Sequence, residues 1–187
     1  MKVCISGRLE VCYTSRMEII IYLILLAVLG FFVYAFGKPM LFGAPYAATD
    51  IRSLKNMIEY AHVLPGERAC DLGSGDGRLV IELTRAGAEA HGYEINPMLV
   101  WYSRRKIQKA RLTSTAFIHR QSLWKADLSG YSLITLFGIP YIMKGLEKKL
   151  LKELPDGARV MSNHFAFPNW KAEKKENGIY IYTKKST

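Results

Sequence analysis

The run Asp71-Leu72-Gly73-Ser74-Gly75-Asp76-Gly77-Arg78 constrains this chain more than any other segment. It follows a strand-like stretch, Arg68–Leu72, and opens a helix-like one, Arg78–Ala86. Glycines here let the backbone turn sharply and let a ligand approach to contact distance. A dinucleotide fingerprint, G-x-G-x-x-G, would place its last glycine at position 78, which is Arg78. The spacing is instead G-x-G-x-G, with Asp71 just ahead. A pyrophosphate favours a bare, positive helix terminus, whereas a ligand carrying a sulfonium and an ammonium group tolerates nearby carboxylates. The competing reading is an ordinary glycine turn between strand and helix. About 20 residues further on, Gly92-Tyr93-Glu94-Ile95-Asn96 ends a second strand, and an acid there can accept hydrogen bonds from both hydroxyls of a ribose. Alone, such a Glu94 reads equally as a solvated loop residue.

The pattern around this loop alternates short strands with helices. Glu89–Glu94 reads as a strand and Pro97–Arg111 as a helix with proline in its first turn. Thr115–Arg120 is a third strand, and Leu133–Phe137 a nearly all-apolar fourth, as a central parallel strand should be. Ile142–Leu154 is a helix with Ile142, Leu146, Leu150 and Leu154 on one face and lysines on the other. Ala158–Phe165 supplies a fifth strand. Lys171–Lys175 and Ile179–Tyr182, around Asn177-Gly178, read as a C-terminal antiparallel hairpin. Strand–helix alternation closed by a hairpin predicts an α/β doubly wound, Rossmann-like sheet.

A second feature lies before that domain. From Ile19 to Phe36 the chain carries no charge for about 18 residues, which as a helix nearly crosses a bilayer core. Tyr22 and Tyr34 stand near its ends, where amphipathic rings favour the headgroup zone. A single transmembrane anchor is the favoured reading. A cleaved signal peptide, with Val33-Tyr34-Ala35 as its cleavage site, fits less well because the stretch exceeds a usual apolar region. A buried core helix fits least, for want of an amphipathic pattern. Met17 offers an alternative start, and residues 1–16 show no helical or strand periodicity. With a start there, Lys38 and the basic domain behind it put the C-terminal side in the cytoplasm by charge bias.

The 187 residues allow one domain and an appendage; half are hydrophobic, which excludes general disorder. A net charge of +10 suits an anionic lipid surface, a nucleic acid or an acidic protein without choosing among them. Arg104, Arg105, Lys106, Lys109 and Arg111 concentrate part of it on one helix, read as a solvated or lipid-facing surface rather than an RNA site. Cys4, Cys12 and Cys70 are too few for a disulfide framework, and Cys70 reads as a buried thiol. His62, His91, His119 and His164 show no metal spacing, so no metal is expected.

DLGSGDGR and GYEINP resemble class I S-adenosylmethionine-dependent methyltransferases. More narrowly, GAPYAATD, LFGIP, LEKKLLKELPDGARV and FAFPNW resemble the group of mitochondrial lysine methyltransferases that act on the c-subunit of the ATP synthase and on the adenine nucleotide translocase. The likeness runs from about Phe42 to Trp170, and that group also carries a hydrophobic N-terminal segment. It implies a seven-stranded sheet and S-adenosylmethionine as cofactor. Asp71, Gly73, Gly75 and Gly77 would hold the methionine part and Glu94 the ribose, with Ser74, Asn96, Ser122 and Leu123 as further cofactor-binding candidates. Pro45, Tyr46 and Thr49 would form a pre-core segment closing over cofactor and target. Where the mitochondrial enzymes resemble K-D-L-W, with an acid near the adenine, this chain has Ser122, followed by Leu123 and Trp124.

The resulting organisation is a tail (1–18), a transmembrane anchor (19–36), a pre-core segment (37–67) and a methyltransferase domain (68–187). The expected activity is N-methylation of a lysine on a membrane-associated protein, with Tyr46, Tyr141 and Trp170 as candidate walls of an aromatic channel that keeps the amine neutral. Each of these rings could equally be core packing. The expected location is a membrane with the catalytic domain on its cytoplasmic face, or the mitochondrial inner membrane in a eukaryote. Lipid or quinone methylation, RNA methylation, and cofactor binding without catalysis are the alternatives.

Overall fold

A computed structural model describes the backbone of residues 6–42 and 51–186, with side chains for 16–34 and 51–186. It divides into two compact units, residues 1–42 and 43–187. The first is a single helix, α1 (Ser6–Phe42). Its stretch Arg16–Tyr34, 19 residues, is long and apolar enough to cross a membrane by length and composition. Every described side chain in that stretch is exposed. The helix also runs through most of the N-terminal tail, where no periodicity predicted one. The reason is physical: helical backbone needs only its own i→i−4 hydrogen bonds, which leave no mark on side-chain periodicity.

The second unit is an α/β sandwich. Its elements in order are α2 (Ile51–Ala61), β1 (Arg68–Leu72), α3 (Arg78–Arg85), β2 (Glu89–Glu94), α4 (Pro97–Lys109), β3 (Ala116–Arg120), β4 (Leu133–Phe137), α5 (Pro140–Glu153), β5 (Arg159–Asn163), β6 (Lys174–Glu176) and β7 (Ile179–Thr183). They form one seven-stranded sheet of order β3-β2-β1-β4-β5-β7-β6. Strands β1 to β5 pair in parallel, and β7 enters antiparallel between β5 and β6. Strand order reverses between β1 and β4, the switch point where open α/β sheets take their ligands.

Each strand alternates between two cores. Ala69, Ala90, Ile118, Leu133 and Met161 face one side, packed with Met57 of α2, Leu83 of α3 and Ile107 of α4. Cys70, Leu72, Ile134, Leu136 and Val160 face the other, against Leu146 and Leu150 of α5. Helix α2 carried no expectation from sequence, because its buried face is the mixed set Ser53, Met57 and Ala61. It is held at its end by Arg159 of β5, whose guanidinium donates to the Ala61 carbonyl and, at 2.6 and 2.7 Å, to both Glu67 oxygens. A cation on the last carbonyls of a helix also meets the negative end of its dipole.

Two glycines let the β1–α3 loop close down on the sheet. A Cβ on Gly92 would stand 2.6 Å from Ser74 Cβ and 2.7 Å from Ile118 Cδ1. Gly77 has φ +75°, and a Cβ there would stand 2.7 Å from Ser103 Cβ on α4. Gly92→Ala should therefore destabilise the domain by about 1–3 kcal/mol, the usual cost of overpacking. Urea unfolding of the wild type and the variant measures this directly, with a lower midpoint and an unchanged slope expected.

Candidate cofactor site

The loop after β1 and the end of β2 are joined by hydrogen bonds rather than merely adjacent. Gly73 and Ser74 donate their amides to the Tyr93 carbonyl at 2.9 and 3.1 Å. Gly75 N donates to Glu94 Oε2 at 3.1 Å, and Asn96 N donates to Glu94 Oε1 at 2.7 Å. Glu94 is only 9% exposed, so it is not a solvated loop residue. Each of its oxygens keeps acceptor capacity, since a carboxylate oxygen has two lone-pair sites. Asn96 caps α4, its Oδ1 accepting from Met98 N at 2.9 Å, with Pro97 at the first helical position.

Asp71 lies beneath the loop, on the face shared with Gly92 of β2 and Thr135 of β4, its register partners. Thr135 Oγ1 donates to Asp71 Oδ1 at 2.9 Å. Burial pushes the Asp71 carboxyl up to about 7; the Thr135 hydrogen bond opposes this, and Glu94 and Asp76 add to it. Asp76 behaves differently. Burial would raise it too, but Arg78 and Lys106 outweigh burial and hold it below the usual range. Arg78 donates to both Asp76 oxygens at 2.9 Å, and Lys106 Nζ reaches Oδ2 at 3.0 Å. Asp76 thus ties the loop to α3 and α4, while the charges of Asp71 and Glu94 lack such cationic partners among the described residues.

These contacts bring together Asp71, Gly73, Ser74, Gly75, Gly77, Glu94 and Asn96 at the carboxyl edge of β1 and β2. Ser74 Oγ is buried without a hydrogen-bond partner among the described residues. Ser122 and Leu123 follow the end of β3, which is tied to β2 through Gln121 N and the Glu94 carbonyl at 3.1 Å. Ser122 is half-buried, and its Oγ accepts weakly from Trp124 N at 3.4 Å. Tyr141 stands exposed in the first turn of α5, just past β4. Trp170 packs on the opposite core, its ring 5.6 Å from Phe167 and 5.1 Å from Tyr182. Pro45, Tyr46 and Thr49 lie outside the described residues.

The arrangement fits the cationic, ribose-bearing cofactor expected from sequence. It offers an uncompensated carboxyl pair, a buried hydroxyl without a partner, and a loop whose Gly73 could carry a Cβ without meeting any atom within 4 Å. Among the described residues no His, Cys, Asp or Glu cluster could hold a metal ion. Sequence reading passed over Asp76 and Thr135. Thr135 had a visible signal, as the one polar residue inside the apolar strand Leu133–Phe137.

The raised Asp71 carboxyl has a definite pH consequence. Folding favours its protonated form, so its contribution to stability is greatest below 3.8 and is lost as pH rises to about 7. Asp71→Asn should therefore remove part of the fall in stability between those limits. Denaturant midpoints of both proteins across that range check it, and parallel curves would remove Asp71 from the titration.

Comparison with known proteins agrees with this geometry. The ANTKMT methyltransferase domain matches residues 71–174. The rat lysine N-methyltransferase named for the ATP synthase c-subunit is 40% identical over 144 residues, 74% of this chain and 66% of its own length. A protein-lysine N-methyltransferase of Saccharolobus islandicus is 31% identical over 148 residues, 74% of this chain and 92% of its own. A crystal structure of a Salinibacter ruber RNA methyltransferase with S-adenosyl-L-homocysteine superposes with a TM-score of 0.72 at 29% identity, covering 75% of this chain and 95% of that one. The chain spans 55 to 66% of the length of the vertebrate c-subunit methyltransferases it matches. With its domain match spanning more than half of its residues, the chain belongs to the ANTKMT methyltransferase domain family.

Proposed function

We propose that this protein is an S-adenosylmethionine-dependent protein-lysine N-methyltransferase whose acceptor lies in a membrane protein. The observation that carries the reading is the buried Glu94, fixed by Gly75 N and Asn96 N beside Asp71, within a family whose named relatives are lysine methyltransferases. The acceptor class rests on the rat relative, named for the c-subunit of the ATP synthase, and on the apolar stretch of α1, taken as a transmembrane anchor. The catalytic domain would lie on the cytoplasmic face, or in a eukaryote at the mitochondrial inner membrane.

When bound, the cofactor would supply a sulfonium methyl carbon: the acceptor nitrogen would attack that carbon with its lone pair, the carbon–sulfur pair would leave with sulfur as a neutral thioether, and a proton would pass from nitrogen to solvent. The chain's own residues then have to bind, orient and desolvate. Asp71 and the loop Gly73–Gly77 would hold the cationic methionine end and Glu94 would accept from the ribose, with Asn96 fixing Glu94 and the start of α4. Ser122 and Leu123 border the base. Pro45, Tyr46 and Thr49 would close over the cofactor, and Tyr46, Tyr141 and Trp170 would wall the acceptor channel. Such aromatic walls disfavour the ammonium form of the acceptor and leave more of it as the nucleophilic amine.

Calorimetry on the full chain in detergent should show binding of S-adenosylmethionine and of its demethylated product, and none of NAD. Glu94→Ala should weaken that binding by about 1.5–3 kcal/mol, the range for hydrogen bonds to a charged group. An unchanged affinity would remove Glu94 from the site.

The acceptor is read by incubating the enzyme with tritiated S-adenosylmethionine and membranes from a strain lacking it. Label should fall to protease and appear as methyl-lysine in the digest. Label in the organic phase would reassign the enzyme to lipid or quinone methylation. RNA is the second reading, favoured by the name of the Salinibacter ruber structure, and label lost to nuclease would establish it. Binding without turnover on any extract would leave a cofactor-binding assembly protein.

A further inference from the structure

Helix α4 turns one face to the core and leaves a very different one outside. Val100, Ser103 and Ile107 are buried. On the opposite side, Met98, Trp101, Tyr102, Arg105 and Lys109 fall within an arc of about 100° at the helical angle per residue, along about 16 Å of axis. Met98 is 63% exposed, Trp101 56% and Tyr102 50%. Three large apolar side chains on two turns of one outward face make a patch, unlike single apolar residues scattered on a surface.

Charge gives the patch its direction. The segment 97–111 holds five basic residues and no acid. Arg104 and Lys106, flanking the arc, have internal work: Arg104 donates to the Ile118 carbonyl at 2.7 Å, and Lys106 meets Asp76. Arg105 and Lys109 lie in the arc itself, with Arg111 exposed just beyond the helix. The Arg105 guanidinium sits 5.2 Å from the centre of the Trp101 ring. The N-terminal half of the face is thus aromatic and the C-terminal half basic. Trp and Tyr settle at headgroup depth, and lysine and arginine beside them meet anionic lipid.

We propose that this outer face of α4 is a second membrane contact, seated on an anionic bilayer surface with Trp101 and Tyr102 at headgroup depth and Arg105, Lys109 and Arg111 on lipid phosphates. The inference rests on the reading that the chain is held at a membrane, for which the apolar stretch Arg16–Tyr34 is the ground. It has a consequence for catalysis. Helix α4 begins at Pro97, capped by Asn96 two residues after Glu94, so a bilayer against its first turns lies beside the rim of the cofactor site. An acceptor lysine near the aqueous boundary of a membrane protein would then be presented at the site's own height.

Fluorescence of the full chain in lipid nanodiscs tests this without cofactor or acceptor. The chain has three tryptophans, Trp101, Trp124 and Trp170, and none is in α1, so the anchor adds no signal. Subtracting Trp101→Phe from the wild type isolates Trp101. Its emission should be quenched by brominated acyl chains in discs rich in phosphatidylglycerol, and not in discs of phosphatidylcholine alone. Arg105→Gln and Lys109→Gln should each lower the seated-to-lifted ratio about fivefold, the factor equivalent to about 1 kcal/mol per basic residue at an anionic surface. Their affinity for S-adenosylmethionine should stay at the wild-type value. No quenching in anionic discs overturns the proposal, as does equal quenching in both lipids with no effect of either variant. Quenching by an RNA oligonucleotide in place of lipid makes the face a nucleic-acid surface and also overturns it. Resistance of the full chain to a carbonate wash reports the anchor, and the fate of tritium reports the acceptor, so each reading fails separately.

Discussion

The hydrogen bond from Gly75 N to Glu94 joins the two strand ends on which everything else in the site depends. It takes one oxygen of a buried carboxylate, and Asn96 N takes the other. A buried carboxylate without such donors would be costly to desolvate. The same two bonds set the path of the β1–α3 loop and the start of α4. Gly92 makes the approach possible, since any side chain there would meet Ser74 and Ile118. A change at Glu94 is therefore structural as well as chemical, and its effect on binding needs a stability measurement beside it.

Charge in the site is divided between two kinds of acid. Asp76 has Arg78 and Lys106 within 3.0 Å and acts as a brace between the loop, α3 and α4. Among the described residues Asp71 has only a neutral donor, Thr135, and its carboxyl is raised to about 7 by burial. A cation placed near Asp71 would favour its ionised form and lower that value. Cofactor binding and loss of the Asp71 proton are then linked, and affinity for a cationic ligand should strengthen as pH rises through neutrality.

Much of the fold was legible because each apolar run has a plain boundary. Arg68–Leu72, Glu89–Glu94 and Leu133–Phe137 agree with expectation to the residue, each being followed by glycine, proline or both within a few positions. Helix α4 ends at Lys109, two residues short of the expected Arg111, which has φ +56°. The fifth strand stops at Asn163, because His164 turns into the left-handed region at φ +67°. What could not be read were groups whose role comes from distant partners. Thr135 matters through Asp71, 64 residues away in sequence, and Arg159 through Glu67, 92 away. Helix α2 was missed because Ser53 occupies a core-facing position that periodicity expects to be apolar. The cofactor loop was readable since its glycines and acids are contiguous, whereas the aromatic candidates for the acceptor channel come from separate segments.

Those aromatic candidates occupy different environments in the fold. Trp170 stacks on Phe167 and touches Tyr182, so its ring is a packed element of the core opposite α2, α3 and α4. Tyr141, 67% exposed in the first turn of α5, follows β4 at the switch point between β1 and β4. Replacing Trp170 by alanine would remove ring contacts from the core and cost stability whether or not it touches an acceptor. Tyr141 belongs to neither core cluster, so a change in turnover on its replacement, with the unfolding midpoint measured beside it, would speak more directly to the reacting complex. A residue that acts on the acceptor should alter turnover while leaving cofactor affinity and the unfolding midpoint in place, and Tyr141 is the described candidate at which that separation can be read.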